Sequence, residues 1–314
     1  MFREILVPLD GSVQAEQALP HAVAIARTSN ATVRLLHVVG DESRVRDGNH
    51  DKADTEVLAY FNEYLGIQAR RVSRSLSKSV PYEVLTGDPA STILRYVRDC
   101  GCDLVVLTTH GQGWLAAARL GSVADELMRQ AMVPVLAVRA HESNVSWQDP
   151  GYRRILVPLD GSRRAETALE PALAMARASR GRVIALAVVK LPQPRADGAL
   201  PTHGADEAAE EHVRAQNYVR DVAARVGTDV LVNPVVRAAL HPGLAIADAA
   251  SQFEADLVVM STRGRSRLVR RRLGSTADMV LRGVNLPVLI LKDVREPETV
   301  PRATADVALR EAWR

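Results

Sequence analysis

The chain has only two cysteines in 314 residues, Cys100 and Cys102. One residue lies between them, too short a spacing for an unstrained disulfide, and nothing nearby completes a metal-ligand set. They read as reduced thiols at a helix end, which excludes a disulfide-stapled scaffold and fits a reducing cytoplasm. Long hydrophobic runs are also missing. The run Val183–Val189 is seven residues long, against the ~18 that suggest a membrane span. The first residues lead straight into a strand pattern, so no secretory signal is expected. Charge of one sign is scarce as well: the net formal charge is +3. The pI is near 9.0, yet the basic residues are spread out, so neither a membrane nor nucleic acid is an expected partner.

Two nucleotide-site patterns and one phosphorylation-site pattern are absent too. No Gly-Lys-Ser/Thr follows a glycine loop, so there is no Walker loop, and no Gly-x-Gly-x-x-Gly follows the first strand. The acidic and lysine partners of a phospho-receiver aspartate are not assembled either.

The chain does contain an internal repeat. Ile5-Leu-Val-Pro-Leu-Asp-Gly-Ser12 recurs unchanged as Ile155-Leu-Val-Pro-Leu-Asp-Gly-Ser162. Leu107-Thr-Thr-His-Gly111, nine residues, then Gly121-Ser122 recurs as Met260-Ser-Thr-Arg-Gly264, nine residues, then Gly274-Ser275. Val133-Pro-Val-Leu-Ala-Val138 is matched by Leu286-Pro-Val-Leu-Ile-Leu291. Three landmarks in one order and nearly one spacing indicate a tandem duplication. Two domains of about 150 residues suit the length. With 47% hydrophobic and 25% charged residues, each can bury a globular core. The boundaries expected are residues 1–140 and 152–293, a polar linker over 141–151 and a polar tail over 294–314. Within the tail, Ala303–Trp313 suits a short helix; docking on a neighbour and disorder are both open.

In the first copy, short apolar runs at Glu4–Leu9, Thr32–Val39, Pro81–Leu85, Asp103–Thr108 and Val133–Val138 predict strands. Helical spacing predicts helices over Ala15–Arg27, over Thr55–Leu65 with a continuation toward Leu76, after the Asp88 cap with Pro89 in first position, and over Gly121–Met132. Polar Asp41–Asp51 predicts a loop, as does Leu191–Gly204 in the second copy. Continuous apolar strands alternating with helices predict an α/β fold, a parallel sheet covered on both faces. Right-handed crossovers leave a few doubly wound topologies. In the order 3-2-1-4-5, the ends of the first and fourth strands are neighbours at the switch point, where ligands bind in such sheets.

Asp10 and Asp160 end their first strands. A carboxylate there suits a ribose hydroxyl or an adenine amino group; the alternative is an Asx residue that caps the next helix. Gly111 and Gly264 suit close approach of a phosphate. Gly121-Ser122 and Gly274-Ser275 suit donors at a helix N-terminus, the alternative being a tight turn and cap. The loops differ in charge. Gln112–Leu120 holds Arg119 alone, whereas Arg265–Leu273 holds Arg265, Arg267, Arg270, Arg271 and Arg272, with Arg263 just before. Either the second site grips polyphosphate more tightly or this is a solvated basic face. No nucleophile and orienting acid assemble around His110, so no catalytic set is assigned and His110 reads as a loop-packing or phosphate-side residue.

These motifs resemble the universal stress protein family, whose ATP-binding pattern is Gly-x-x-Gly, nine residues, Gly-Ser/Thr. The likeness includes the Val-Pro-Leu-Asp-Gly-Ser start, Leu36-His37-Val38 and the Pro-Val-Leu last strand, and it covers about residues 1–140 and 152–293. It implies two tandem Rossmann-like domains, each a five-stranded parallel sheet flanked by helices and often dimerised through the last strand. It implies one ATP per domain, with ADP or AMP as alternatives and magnesium as the nucleotide's counter-ion. Carried over, Pro8, Leu9, Asp10 and Pro158, Leu159, Asp160 lie at the adenosine, and the Val38 and Val188 backbones bracket the base. On the phosphate side the first copy offers Thr108, His110, Gly111, Gly121, Ser122 and Val123; the second offers Ser261, Arg263, Gly264, Arg265, Gly274, Ser275 and Thr276. Thr108 and Ser261 replace the family's first glycine. The resemblance implies a nucleotide-dependent stress-response regulator, with a slow ATPase and a nucleotide-free scaffold as alternatives. In a tandem chain the two last strands are expected to pair the domains within one molecule, or a homodimer to form.

Overall fold

The computed structural model describes residues 1–40, 50–109, 120–140, 147, 150–191, 204–226, 229–262 and 273–292, with side chains described except at 50–54 and 204–208. The first half runs β1 (Glu4–Pro8), α1 (Val13–Glu16), α2 (Ala18–Ser29), β2 (Thr32–Val39), α3 (His50–Leu76), β3 (Tyr82–Thr86), α4 (Pro89–Asp99), β4 (Leu104–Thr108), α5 (Ser122–Gln130) and β5 (Val135–Val138). The second repeats it: β6 (Arg154–Leu159), α6 (Arg163–Glu166), α7 (Leu169–Ser179), β7 (Arg182–Lys190), α8 (Gly204–Val226), β8 (Leu231–Ala239), α9 (Pro242–Gln252), β9 (Leu257–Thr262), α10 (Ser275–Gly283) and β10 (Val288–Lys292). The predicted order 3-2-1-4-5 is observed in each half, and the ten strands form one sheet, β3-β2-β1-β4-β5-β10-β9-β6-β7-β8.

One predicted helix is split, and another, expected from Thr55, begins at His50, inside the predicted loop. The expected helix over Ala15–Arg27 is split at Gln17, and α6 is likewise separate from α7. Proline explains both. Pro20 has no N–H to give the Glu16 carbonyl, and Pro171 has none for Thr167. Asp88 does cap α4, accepting from the Ser91 N–H at 3.0 Å, with Pro89 in the first turn. The helix continued past Leu65 reaches Leu76.

Two apolar clusters cover the sheet. One face carries α2, α3, α7 and α8 over Ile5, Val7, Leu35, Ile155 and Val157. The other carries α4, α5, α9 and α10 over Leu6, Leu36, Val105, Leu156 and Val258. Alternate residues of each central strand feed opposite faces, as the period of two requires.

The halves meet where β10 runs antiparallel to β5, pairing Val288 with Ala137, Leu289 with Leu136 and Ile290 with Val135. Both clusters run across this seam, so each half supplies core to the other. Cations reach across it in both directions. Arg139 donates to the Arg282 and Val284 carbonyls at 3.3 Å, at the end of α10. Lys292 donates to the Met128 carbonyl in the last turn of α5. A cation at a helix C-terminus meets the negative end of its dipole, worth ~0.3–1 kcal/mol at the surface and more where partly buried.

Burial of Lys292 at this seam pulls its ammonium down to about 8. Between pH 8 and its ordinary 10.5, the unfolded chain holds a proton that the folded chain has released, so this group makes the fold more stable as pH rises through that window. Denaturant titrations at pH 7.5, 9 and 10 should show wild type gaining stability relative to Lys292→Met. A difference that stays flat with pH would refute the assignment.

Candidate nucleotide site at the switch points

The strand order puts the carboxyl ends of β1 and β4 side by side. Their pairing is short: Ile5 opposes Leu104, Leu6 opposes Val105, and no further. β1 stays with β2 for longer, from Glu4–Thr32 to Pro8–Leu36. The second half repeats this, with β6 and β9 paired only at Ile155–Leu257 and Leu156–Val258. Proline fits the early parting. Leu9 donates its N–H to Leu36 at 2.8 Å, so in alternating register the Pro8 nitrogen faces β4, where the absent N–H costs nothing. Asp103 fastens the opposite end. Its carboxylate accepts from the Arg3 and Glu4 N–H groups at 2.9–3.0 Å, and Asp256 holds Arg153 and Arg154 in the same way. Each half is therefore closed at the start of the strand pair and parted at its carboxyl end.

Asp10 stands on one lip of this crevice. Its Oδ1 accepts from the Ser12 N–H at 2.9 Å and from the Ser12 hydroxyl. Ser12 Oγ in turn accepts from the Ala15 N–H at 3.1 Å. The helix cap is thus Ser12, and Asp10 orients it through an Asx turn. Asp160, Ser162 and Ala165 reproduce the relay at 3.0 and 3.1 Å. Asp-Gly-Ser carried this signal, since Asp bonds the backbone two residues on and Gly11 and Gly161 take positive φ, +85° and +78°. The turn engages Oδ1 of each carboxylate.

The other lip is the start of α5. Thr108 ends β4 half-buried, Thr109 donates to the Val138 carbonyl at 2.8 Å, and Gly121 donates to the Thr109 carbonyl at 2.7 Å, drawing the ends of the loop together. Gly121 and Gly274 are the N-caps of α5 and α10, and neither helix start has a side-chain cap. The N–H groups of the first turn, including those of Ser122, Val123, Ser275 and Thr276, have no acceptor within their own helix. Gly121 and Gly274 have φ of −59° and −62°, which any residue adopts. A Cβ added to Gly274 would meet no atom within 4 Å. Among the described residues, neither conformation nor packing calls for glycine at 274; the bare backbone leaves room for a group to approach. Ser261 is half-buried, one residue before the end of β9. His110, Gly111, Arg263, Gly264 and Arg265, with the rest of the arginine cluster, lie outside the described residues.

A further pair was not foreseen from sequence. His37, buried in β2, places Nδ1 2.7 Å from the Leu9 carbonyl. A carbonyl only accepts, so Nδ1 carries the hydrogen. Phe61 of α3 stacks on this ring, with centroids 3.5 Å apart and planes 14° apart. The Phe61 edge lies 3.0 Å from where a Gly11 Cβ would be. The first crevice thus has an aromatic wall beside Asp10. By register and by the shared contacts of Tyr64 and Tyr218 with Glu16 and Glu166, the second half has Ala187 and Ala215 at these positions. Among the described residues, nothing lies within 4 Å of a Gly161 Cβ. Asp160 is accordingly exposed where Asp10 is half-buried, and Val38 and Val188 are half-buried in both halves.

Comparison with known proteins agrees with the duplication. The family described as "Universal stress protein family" matches residues 1–139 and 151–292. A universal stress protein of Mycobacterium tuberculosis is 28% identical over 313 residues, covering 92% of this chain and 96% of its own length. A universal stress protein of Bacillus subtilis is 32% identical over 152 residues, covering 44% of this chain and all of itself. Among solved structures, a universal stress protein from Archaeoglobus fulgidus superposes with a TM-score of 0.68 at 20% identity, covering 92% of this chain and 98% of that one. That likeness speaks for the fold.

Burial, chiefly, lowers the His37 pKa from its ordinary 6.5. Phe61→Ala should uncover the ring and move its titration upward. An NMR titration of the His37 ring protons checks this; an unchanged midpoint would mean that Phe61 is not the covering group.

Proposed function

The chain belongs to the universal stress protein family, and from that premise we propose that each half binds one adenine nucleotide, making the protein a nucleotide-dependent regulator in stress adaptation. The observation that carries this reading is the crevice left where β1 parts from β4 after Leu6, and β6 from β9 after Leu156. An aspartate stands on one lip and a helix start without a side-chain cap on the other. A carboxylate suits ribose hydroxyls, and helix N–H groups suit phosphate. The two ends of a nucleotide thus meet chemistry of the right kind in the order in which the strands present it.

In this reading Pro8, Leu9 and Asp10, with Pro158, Leu159 and Asp160, receive the adenosine, and Val38 and Val188 bracket the base. Thr108, Gly111, Gly121, Ser122 and Val123 receive phosphate in the first half. Ser261, Gly264, Gly274, Ser275 and Thr276 do so in the second, where Arg263 and Arg265 add charge and His110 is the first-half counterpart of Arg263. ATP with a magnesium counter-ion is the expected ligand, and ADP and AMP share its adenosine contacts. Among the described residues, Gly161 lacks the aromatic cover of Gly11. The domains span 1–140 and 152–293, joined by the linker at 141–151 and followed by the tail at 294–314. Their union through β5 and β10 is the arrangement in solution, and it occupies the edges through which a homodimer would otherwise pair.

Protein purified without added nucleotide should release ATP, ADP or AMP on denaturation, read by mass spectrometry. Calorimetry on the stripped full chain should give two ATP per chain. Asp160→Asn keeps an oxygen for the Ser162 turn but removes the charge, and should weaken the second site about tenfold or more. Gly274→Ala should weaken the same site while changing stability by less than ~1 kcal/mol. No released nucleotide, together with no calorimetric heat from ATP, ADP or AMP, overturns the reading.

A further inference from the structure

The duplication makes two equivalent crevices at the seam, one on each side of the β5–β10 pair, and they have diverged. In one, Tyr152 at the start of the second half meets His21 of α2. Its hydroxyl lies 2.7 Å from His21 Nδ1, and the rings stack with centroids 6.0 Å apart. The positions equivalent to Tyr152 and His21 in the other crevice are Phe2 and Pro171. Phenylalanine has no hydroxyl and proline no imidazole, so this contact cannot form there. In its place is a cavity of about 570 Å³ whose walls come from both halves: Phe2 and Pro134 from the first, Arg164, Pro171, Ala174 and Leu291 from the second. That volume lies within the range of small-molecule sites.

The lining has a definite chemistry. Phe2 and Leu291 belong to the apolar cluster on this face, with Leu173 packed against it. The charged lining residues are Arg164, Arg177 and Lys292 against one acid, Glu170. Asp229 pairs with Arg177 through a 2.9 Å bond, and among the described lining residues three cations stand with one acid. The other crevice has Gln14, Pro20 and Arg27 where this one has Arg164, Glu170 and Arg177. An apolar floor with a cationic rim complements a molecule with an apolar body and a single negative end.

We propose that this open crevice is a binding site, separate from the two switch points, for a small amphipathic anion of the medium-chain or aromatic carboxylate class. Because its walls come from both halves, a bound anion adds contacts across the seam and holds the domains together. This inference does not rest on the nucleotide reading, and either can fail alone.

The probe is 8-anilinonaphthalene-1-sulfonate, with decanoate as competitor, titrated with and without ATP so that dye at the switch points is counted apart. The full chain should bind one dye per chain, decanoate should displace it, and decanoate alone should raise Tm. Phe2→Tyr/Pro171→His copies the Tyr152–His21 contact of the other crevice and should weaken dye binding at least tenfold. Ala174→Trp, which fills the cavity by bulk, should do the same if the double variant does not fold. Arg164→Gln should weaken the anionic dye about tenfold and leave its uncharged analogue N-phenyl-1-naphthylamine unaffected. Tyr152→Phe/His21→Ala should open the twin crevice and add a second site. Dye binding untouched by both filling variants overturns the proposal. So does binding that appears only when the chain is cut after Lys292, which would identify residues 293–314 as the occupant.

Discussion

The early parting of β1 from β4 is the constraint on which the candidate chemistry depends. A parallel sheet is ordinarily continuous, and a continuous sheet has no room at its centre. Here two residue pairs hold the strands together and then stop. Asp103 and Asp256 anchor the near end by accepting two backbone N–H groups each. Pro8 and Pro158 face the far end without an N–H to lose. The crevice is therefore a consequence of where hydrogen bonds can and cannot form, and it appears twice because the sequence that dictates it appears twice.

Duplication also explains the seam. Each last strand would be an edge if its domain stood alone. Antiparallel pairing joins them, and Arg139 and Lys292 each reach the helix end of the other half. A symmetric seam need not stay symmetric, since a single chain can substitute one copy without the other. Phe2 against Tyr152, Pro171 against His21, Ala215 against Phe61 and Ala187 against His37 are four places where it did. They fall in two groups, one at the seam and one beside the first aspartate, and each group gives one copy a ring contact that the other lacks.

Much of the fold was legible along the chain. The repeat located both halves, the apolar runs located the strands, and Asp88-Pro89 located a helix start to the residue. The break at Gln17 was missed because apolar periodicity runs straight through it; the missing N–H of Pro20 is a local signal that the periodic pattern hides. Within the site, Asp10 and Gly121 stand out by residue type. Ser12 as the cap follows from Asp-Gly-Ser once the turn is recognised. His37 and Phe61 did not stand out, because they are 24 positions apart on a strand and a helix that meet only through packing.

What the sequence determined alone is what depends on neighbours in the chain: strands from apolar runs, caps from Ser, Asp and Pro, turns from Asp-Gly, and the duplication itself. What the tertiary structure decided depends on residues far apart in the chain: how far β1 stays with β4, which ring covers Gly11, and which of two equivalent positions at the seam carries the Tyr152–His21 contact. The first kind of information is local because backbone hydrogen bonding and torsional preference act over a few residues. The second is not, because a cavity is defined by side chains from several elements, and Tyr152 meets His21 across 131 positions of the chain.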